Sequence, residues 1–137
     1  MKVFIDTSAF VALFVEKEEF HRQVSQKYKG YRQERVTLLT SDYVLDELLT
    51  RLLFYREINL IELIRRLKDS IAQHEIAVLQ IDQTLFDKSV DVFLKFSEHK
   101  ISFTDATTYC LYRDFAIDEV FTLDSDFKKM RLKTSFN

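Results

Sequence analysis

Short apolar, β-rich runs in this chain are separated by stretches long enough to hold one or two helices, and this alternation is the strongest constraint on its fold. Val3-Phe4-Ile5 ends at Asp6. Thr37-Leu38-Leu39-Thr40, Ala77-Val78-Leu79-Gln80-Ile81 and Val120-Phe121-Thr122-Leu123 follow, and Thr134 to Phe136 offers a fifth run. Strands joined through intervening helices pair in parallel. Parallel strands covered on both faces read as continuous apolar runs, as these do. The expected fold class is therefore α/β: a short parallel sheet of four or five strands between two helical layers, with right-handed crossovers.

The intervening segments carry helical spacing. Ser8 to Val15 reads as a short helix, and Phe20, Val24, Tyr28 and Tyr31 mark a second. Leu45, Leu48, Leu49, Leu52 and Leu53 fall on one face of a helix after the second strand. Asn59 offers a cap for a helix carrying Leu60, Leu63, Ile64, Leu67 and Ile71. Asp82 or Gln83 opens a helix with Phe86, Val90, Phe93 and Phe96, and Phe103 to Phe115 forms one more. Proline is absent and Gly30 is the single glycine, so nothing interrupts these helices. A length of 137 residues suits one domain, 1–137, and 47% hydrophobic content is enough for a sizeable core.

Several function classes fall away. Cys110 is the only cysteine, which excludes an intramolecular disulfide and a thiolate zinc site and leaves it as a small apolar core residue. No segment approaches the ~18 apolar residues of a membrane helix. The N-terminal run meets Asp6 too early for a signal peptide, so a cytoplasmic protein is expected. The net charge of −2 restricts any nucleic-acid contact to local basic groups. Arg51, Arg56, Arg65, Arg66 and Lys68 form one such group, and Lys128, Lys129, Arg131 and Lys133 another; a solvated charged surface explains either equally well.

Open α/β sheets bind ligands beyond the carboxyl ends of their strands, near the point where strand order reverses. Asp6 directly follows the first strand and Asp124 the fourth, while Glu47 lies in the helix after the second. Asp105 reaches the same edge from the start of the helix that leads into the fourth strand. Each acid also has a purely structural reading. Asp6 can cap a helix, Ser102-Phe103-Thr104-Asp105 fits a capping box, and Asp124-Ser125-Asp126 fits a turn. Glu47 can face solvent, opposite Leu45, Leu49 and Leu52. Jointly they point further. Two carboxylates ~4 Å apart repel by about 4 kcal/mol at an effective dielectric of roughly 20. A fold tolerates such a cluster if protons are retained or a cation neutralises it, and hard oxygen ligands suit Mg²⁺ or Mn²⁺.

Four blocks resemble the motifs of PIN-domain proteins, in order and across the whole chain. They are Phe4-Ile5-Asp6-Thr7-Ser8-Ala9-Phe10, Thr40-Ser41-Asp42-Tyr43-Val44-Leu45-Asp46-Glu47, Ser102-Phe103-Thr104-Asp105-Ala106 and Phe121-Thr122-Leu123-Asp124-Ser125-Asp126-Phe127. The resemblance implies a three-layer α/β/α PIN fold and a Mg²⁺- or Mn²⁺-dependent ribonuclease. It further implies frequent homodimers and a likeness to the VapC toxins, which pair with an antitoxin protein. It carries Asp6, Glu47, Asp105 and Asp124 over as the metal-binding acids. Thr7 and Ser8 come over as supporting groups and Asp126 as a further potential ligand.

The chemistry expected of such a site is hydrolysis of an RNA phosphodiester by metal-activated water, leaving a 5′-phosphate and a 3′-hydroxyl. His21, His74 and His99 lie outside every acidic block, which disfavours a route through the 2′-hydroxyl. Two alternatives stand beside this reading. One is a silent PIN module that binds RNA or a protein partner. The other is a phosphoaspartyl phosphatase, which needs a second Asp where this chain has Ser8. Within the second block, Glu47 projects about 200° from Leu45 and Asp46 about 100°. This geometry leaves both acids open, and the PIN motif selects Glu47.

Overall fold

β1 (Lys2–Ile5) is the pivot of the sheet. Val3, Phe4 and Ile5 have no solvent exposure, and the strand pairs in parallel with β2 (Thr37–Ser41) on one side and β4 (Glu119–Phe121) on the other. β3 (Ile76–Leu79) extends the sheet beyond β2, giving the order β3-β2-β1-β4. The structure, a computed structural model, describes residues 1–136. Thr134 contributes only an isolated parallel bridge to Val120, so the sheet has four strands and the fifth run does not add one. β4 also stops at Phe121, because Thr122 and Leu123 already turn away toward Asp124.

The chain steps outward from β1 to β2 to β3, then crosses back to β4. Right-handed crossovers therefore place α1 (Thr7–Phe14), α2 (His21–Gln33), α3 (Asp42–Leu52) and α4 (Leu60–Ala72) on one face. α5 (Gln83–Lys95) and α6 (Phe103–Asp114), packed on each other, cover the opposite face. This is the three-layer α/β/α architecture, closed by the short α7 (Asp126–Lys129). Strand order reverses between β1 and β4, so the switch-point crevice lies where Asp6 and Asp124 emerge. No helix among the described residues is long and apolar enough to cross a membrane.

Side-chain caps start most of the helices. Asp6, Ser41, Asn59, Asp82 and Ser102 each accept a backbone N–H of the first turn they precede. Two helices are rolled part of the way from the face their spacing suggested, with Leu48 and Leu52 of α3 buried as expected and Leu45 and Phe96 packed at the edge of the core. In α3 the buried stripe is Val44, Leu48 and Leu52, while Leu49 is partly exposed and Leu53 is 67% exposed. The β-branched Val44 carries the first contact, and the leucine count concealed the i, i+4, i+8 row to which it belongs. In α5 Leu85 and Ser89 are buried, and Phe86 and Phe93 stand at the margin. A serine can occupy that core position because its Oγ donates to the Leu85 carbonyl at 2.6 Å. Phe20 likewise lies outside the core, at the N-cap of α2.

Exposure separates the leucines of α3 energetically. Leu48→Ala should cost about 2–5 kcal/mol by leaving a cavity, whereas Leu49→Ala, at a side chain 37% exposed, should cost less than about half of that. Urea unfolding of the two variants checks this, and equal losses would contradict the assigned register.

Candidate active site

The acids converge because their backbones leave the sheet at one edge. Asp6 sits at the N-cap of α1, where its backbone N–H donates to the Phe121 carbonyl at 3.0 Å and ties β1 to β4. Its Oδ2 accepts from the Thr122 hydroxyl at 2.8 Å and the Ser8 hydroxyl at 3.1 Å. Ser8 Oγ in turn accepts from the Leu123 backbone N–H at 2.9 Å. Thr122 Oγ1 accepts from the Asp124 N–H at 2.9 Å, and Asp124 Oδ1 accepts from the Asp126 N–H at 2.8 Å. One chain of hydrogen bonds thus runs from the first acid to the last.

Carboxylate oxygens of Asp105, Asp124 and Asp126 lie within 4.8 Å of one another. Asp105 is buried in the first turn of α6, whose start is fixed by Ser102 Oγ accepting its backbone N–H at 3.1 Å. The capping-box serine is therefore real and aims the acid into the crevice. Asp6 and Glu47 lie outside this triad but act on it. Burial first, and then the charges of Asp6, Asp124, Glu47 and Asp126, push Asp105 up to about 8. Burial also raises Asp6 to about 6, against the lowering effect of the hydrogen bonds from Thr122, Thr7 and Ser8, with Glu47 adding to the rise.

Glu47 acts on Asp105 and Asp6 through its charge, and its place on α3 differs from what its spacing from the leucines suggested. Relative to Leu48 of the buried stripe, it stands about 100° around the helix. It therefore flanks the core instead of opposing it, and it is half-buried. Asp46 falls about 200° from Leu48 and is exposed.

Two buried polar atoms, Asp6 Oδ1 and Thr7 Oγ1, have no hydrogen-bond partner among the described residues. A buried acceptor left unpaired costs about 1–3 kcal/mol, more when charged. Asp6 Oδ1 therefore points to a missing proton or cation, and the all-oxygen donor set around it fits a hard divalent ion. Lys129 Nζ sits 2.9 Å from Asp126 Oδ1, the one ion pair the triad makes among the described residues.

Thr122 was not singled out by the sequence, although it links Asp6 to Asp124. A hydroxyl two residues before an acid is the pattern of a side-chain turn, and that pattern was available. The histidines lie elsewhere: His21 Nδ1 is bonded to the Ala12 carbonyl at 2.7 Å, and His74 and His99 are exposed. Cys110 is buried in the core, and burial pushes its thiol up.

The PIN domain family model matches residues 3–133, and the chain belongs to that family. The fold is similar to Mycobacterium tuberculosis VapC20, described as a Sarcin-Ricin loop cleaving toxin, at a TM-score of 0.77 and 21% identity over 95% of each chain. It is also similar to Rickettsia felis VapBC2, solved bound to a DNA fragment from its promoter, at a TM-score of 0.68 and 12% identity over 98% of each chain. No curated protein sequence matches significantly.

The raised acids set a pH dependence. Folded Asp105 keeps its proton up to about 8, whereas an ordinary carboxyl releases it near 3.8. Across that window the folded state holds more protons than the unfolded one, so stability without divalent ion falls as pH rises. The metal-free protein should melt higher at about pH 5 than at about pH 8, and Asp105→Asn should flatten the difference and raise the value at pH 8. Melts followed by circular dichroism test this; a wild-type profile that climbs over the same range refutes it.

Proposed function

We propose that the chain is a cytoplasmic, divalent-metal-dependent endoribonuclease of the VapC type. Asp6, Glu47, Asp105 and Asp124 would hold Mg²⁺ or Mn²⁺, with Asp126 joining them and Thr7 and Ser8 in support. The observation that carries this reading is Asp6, a buried carboxylate with one oxygen fully bonded and the other, Oδ1, unpartnered. Thr122 and Ser8 lock the ring of acids in place while leaving that oxygen available. When bound, the cation supplies Lewis-acid activation of water and neutralises charge developing on the phosphoryl oxygens.

The protein's own groups do the rest. Asp105, buried among four other acids, must lose its proton before it can serve as an anionic ligand, so metal binding should release a proton and metal affinity should rise with pH. Ser8 cannot replace the second Asp of a phosphatase, because it has no acid proton to give and its hydroxyl is committed to Asp6 and Leu123. Likeness to VapC20 and VapBC2 supports an RNA substrate and a cognate antitoxin partner.

RNA digestion with Mg²⁺ or Mn²⁺ tests the assignment. Asp6→Asn should abolish cleavage while melting as a folded protein. Glu47→Gln should lose at least about 10²-fold in rate, the scale of one preorganised electrostatic group, and Asp46→Asn should lose little. Products should carry a 5′-phosphate. Reversed losses for the pair at 46 and 47 would overturn the assignment of Glu47, and an inactive wild type would leave the silent PIN module as the better reading.

A symmetric homodimer is part of the proposal. Leu53, Phe54 and Ile61 are more than two-thirds exposed around the α3–α4 turn, an apolar surface that a partner copy would cover. Light scattering should give twice the 16.4 kDa chain mass; a single species of 16.4 kDa at micromolar concentration would exclude the dimer.

A further inference from the structure

Beside the acid cluster lies a cavity of about 270 Å³. Phe20, Gln23, Leu123, Lys128 and Phe136 line it, and Asp124 belongs both to its wall and to the acid triad. Phe20 is 43% exposed although it is a large apolar side chain. Phe136 is half-buried and rests its ring against Phe121, with centroids 5.9 Å apart. Lys128 forms no ion pair with the described residues, whereas the nearby Lys129 and Lys133 are paired with Asp126 and Glu119. Asp124 apart, the catalytic reading uses none of these groups.

We infer that this cavity is a nucleobase subsite, which seats the base next to the phosphodiester at the acids. The inference rests on the ribonuclease reading above. Ligand pockets measure roughly 300–1,000 Å³, so a cavity of about 270 Å³ lies at the small end and has room for one flat ring system. Two phenylalanines supply the apolar faces on which any base stacks. The aromatic lining favours an uncharged base over a phosphate, and Lys128 at the wall offers a cation to the sugar–phosphate backbone. Gln23, which lines the cavity with an amide, carries both donors and an acceptor that can read the edge of a base. Asp124 borders both the cavity and the acid triad, so a base seated here would lie next to a phosphodiester held at the acids.

A double-mutant design tests the subsite with the full chain and a short single-stranded RNA scanned with single abasic positions. Binding is read by fluorescence anisotropy in Ca²⁺, and cleavage as kcat/KM in Mn²⁺. In the wild type, removing the base at one position beside the cleaved bond should weaken binding and kcat/KM by about tenfold. Phe20→Ala should show a comparable loss on intact RNA and no further loss at that abasic position, while Phe20→Trp should keep the wild-type pattern. Phe20 is exposed at a helix N-cap, so these variants are expected to fold, and melting curves verify it. Equal abasic penalties in wild type and Phe20→Ala at every position would overturn the subsite, including the case in which the cavity takes a protein side chain. RNA that is cut without the coupling sinks the subsite alone. Coupled binding without cleavage sinks the nuclease reading alone, and a wild type that binds no RNA sinks both.

Discussion

Like-charge repulsion at the β1–β4 switch point is the term to which the rest of this structure answers. Asp105 is buried with the charges of four other acids acting on it, and its proton is held up to about 8. Left to themselves, such groups would separate, since a pair ~4 Å apart costs about 4 kcal/mol even at an effective dielectric near 20. They stay together because each is fixed through its backbone. Asp6 ends a fully buried strand, Asp105 stands in a capped helix turn, and Asp124 and Asp126 share one turn. Rigid secondary structure holds what the charges alone would push apart.

Hydroxyl groups make that holding specific. Thr122 and Ser8 place two O–H donors on one oxygen of Asp6, and each also accepts a backbone N–H from the segment that follows β4. The bonds lower the tendency of Asp6 to keep a proton, yet burial outweighs them and its value still rises to about 6. The result is a carboxylate oriented by its neighbours with one oxygen left over. An arrangement of this kind is costly without a counter-charge and gains stability when one arrives, which is why the buried orphan oxygen says more than the acid count.

Much of this was legible in the sequence. The alternation of apolar strands with helical spacing gave the parallel sheet, and the caps at Asp6, Asn59, Asp82 and Ser102 are local choices that survive in the fold. What the spacing misjudged were the faces of α3 and α5. Val44 and Ser89 joined Leu48, Leu52 and Leu85 in the buried rows while Leu49, Leu53, Phe86 and Phe93 stayed exposed, and the bond from Ser89 to the Leu85 carbonyl satisfies the hydroxyl there. The fifth strand failed for a related reason: Thr134 makes one bridge to Val120 and the backbone does not stay extended alongside it.

By itself, the sequence determined the alternation of strands and helices, the parallel sheet and most of the helix caps, since these depend on residue type within a few neighbours. It left Glu47 and Asp46 undecided by geometry. Only the tertiary structure put Glu47 beside the buried stripe and Asp46 in solvent, because that outcome depends on how α3 rolls against the sheet. The same holds for Thr122, for Asp126 in the triad and for the cavity at Phe20. Each brings together residues far apart in the chain, and no local pattern encodes the distance between segments that meet only when the sheet closes on β1.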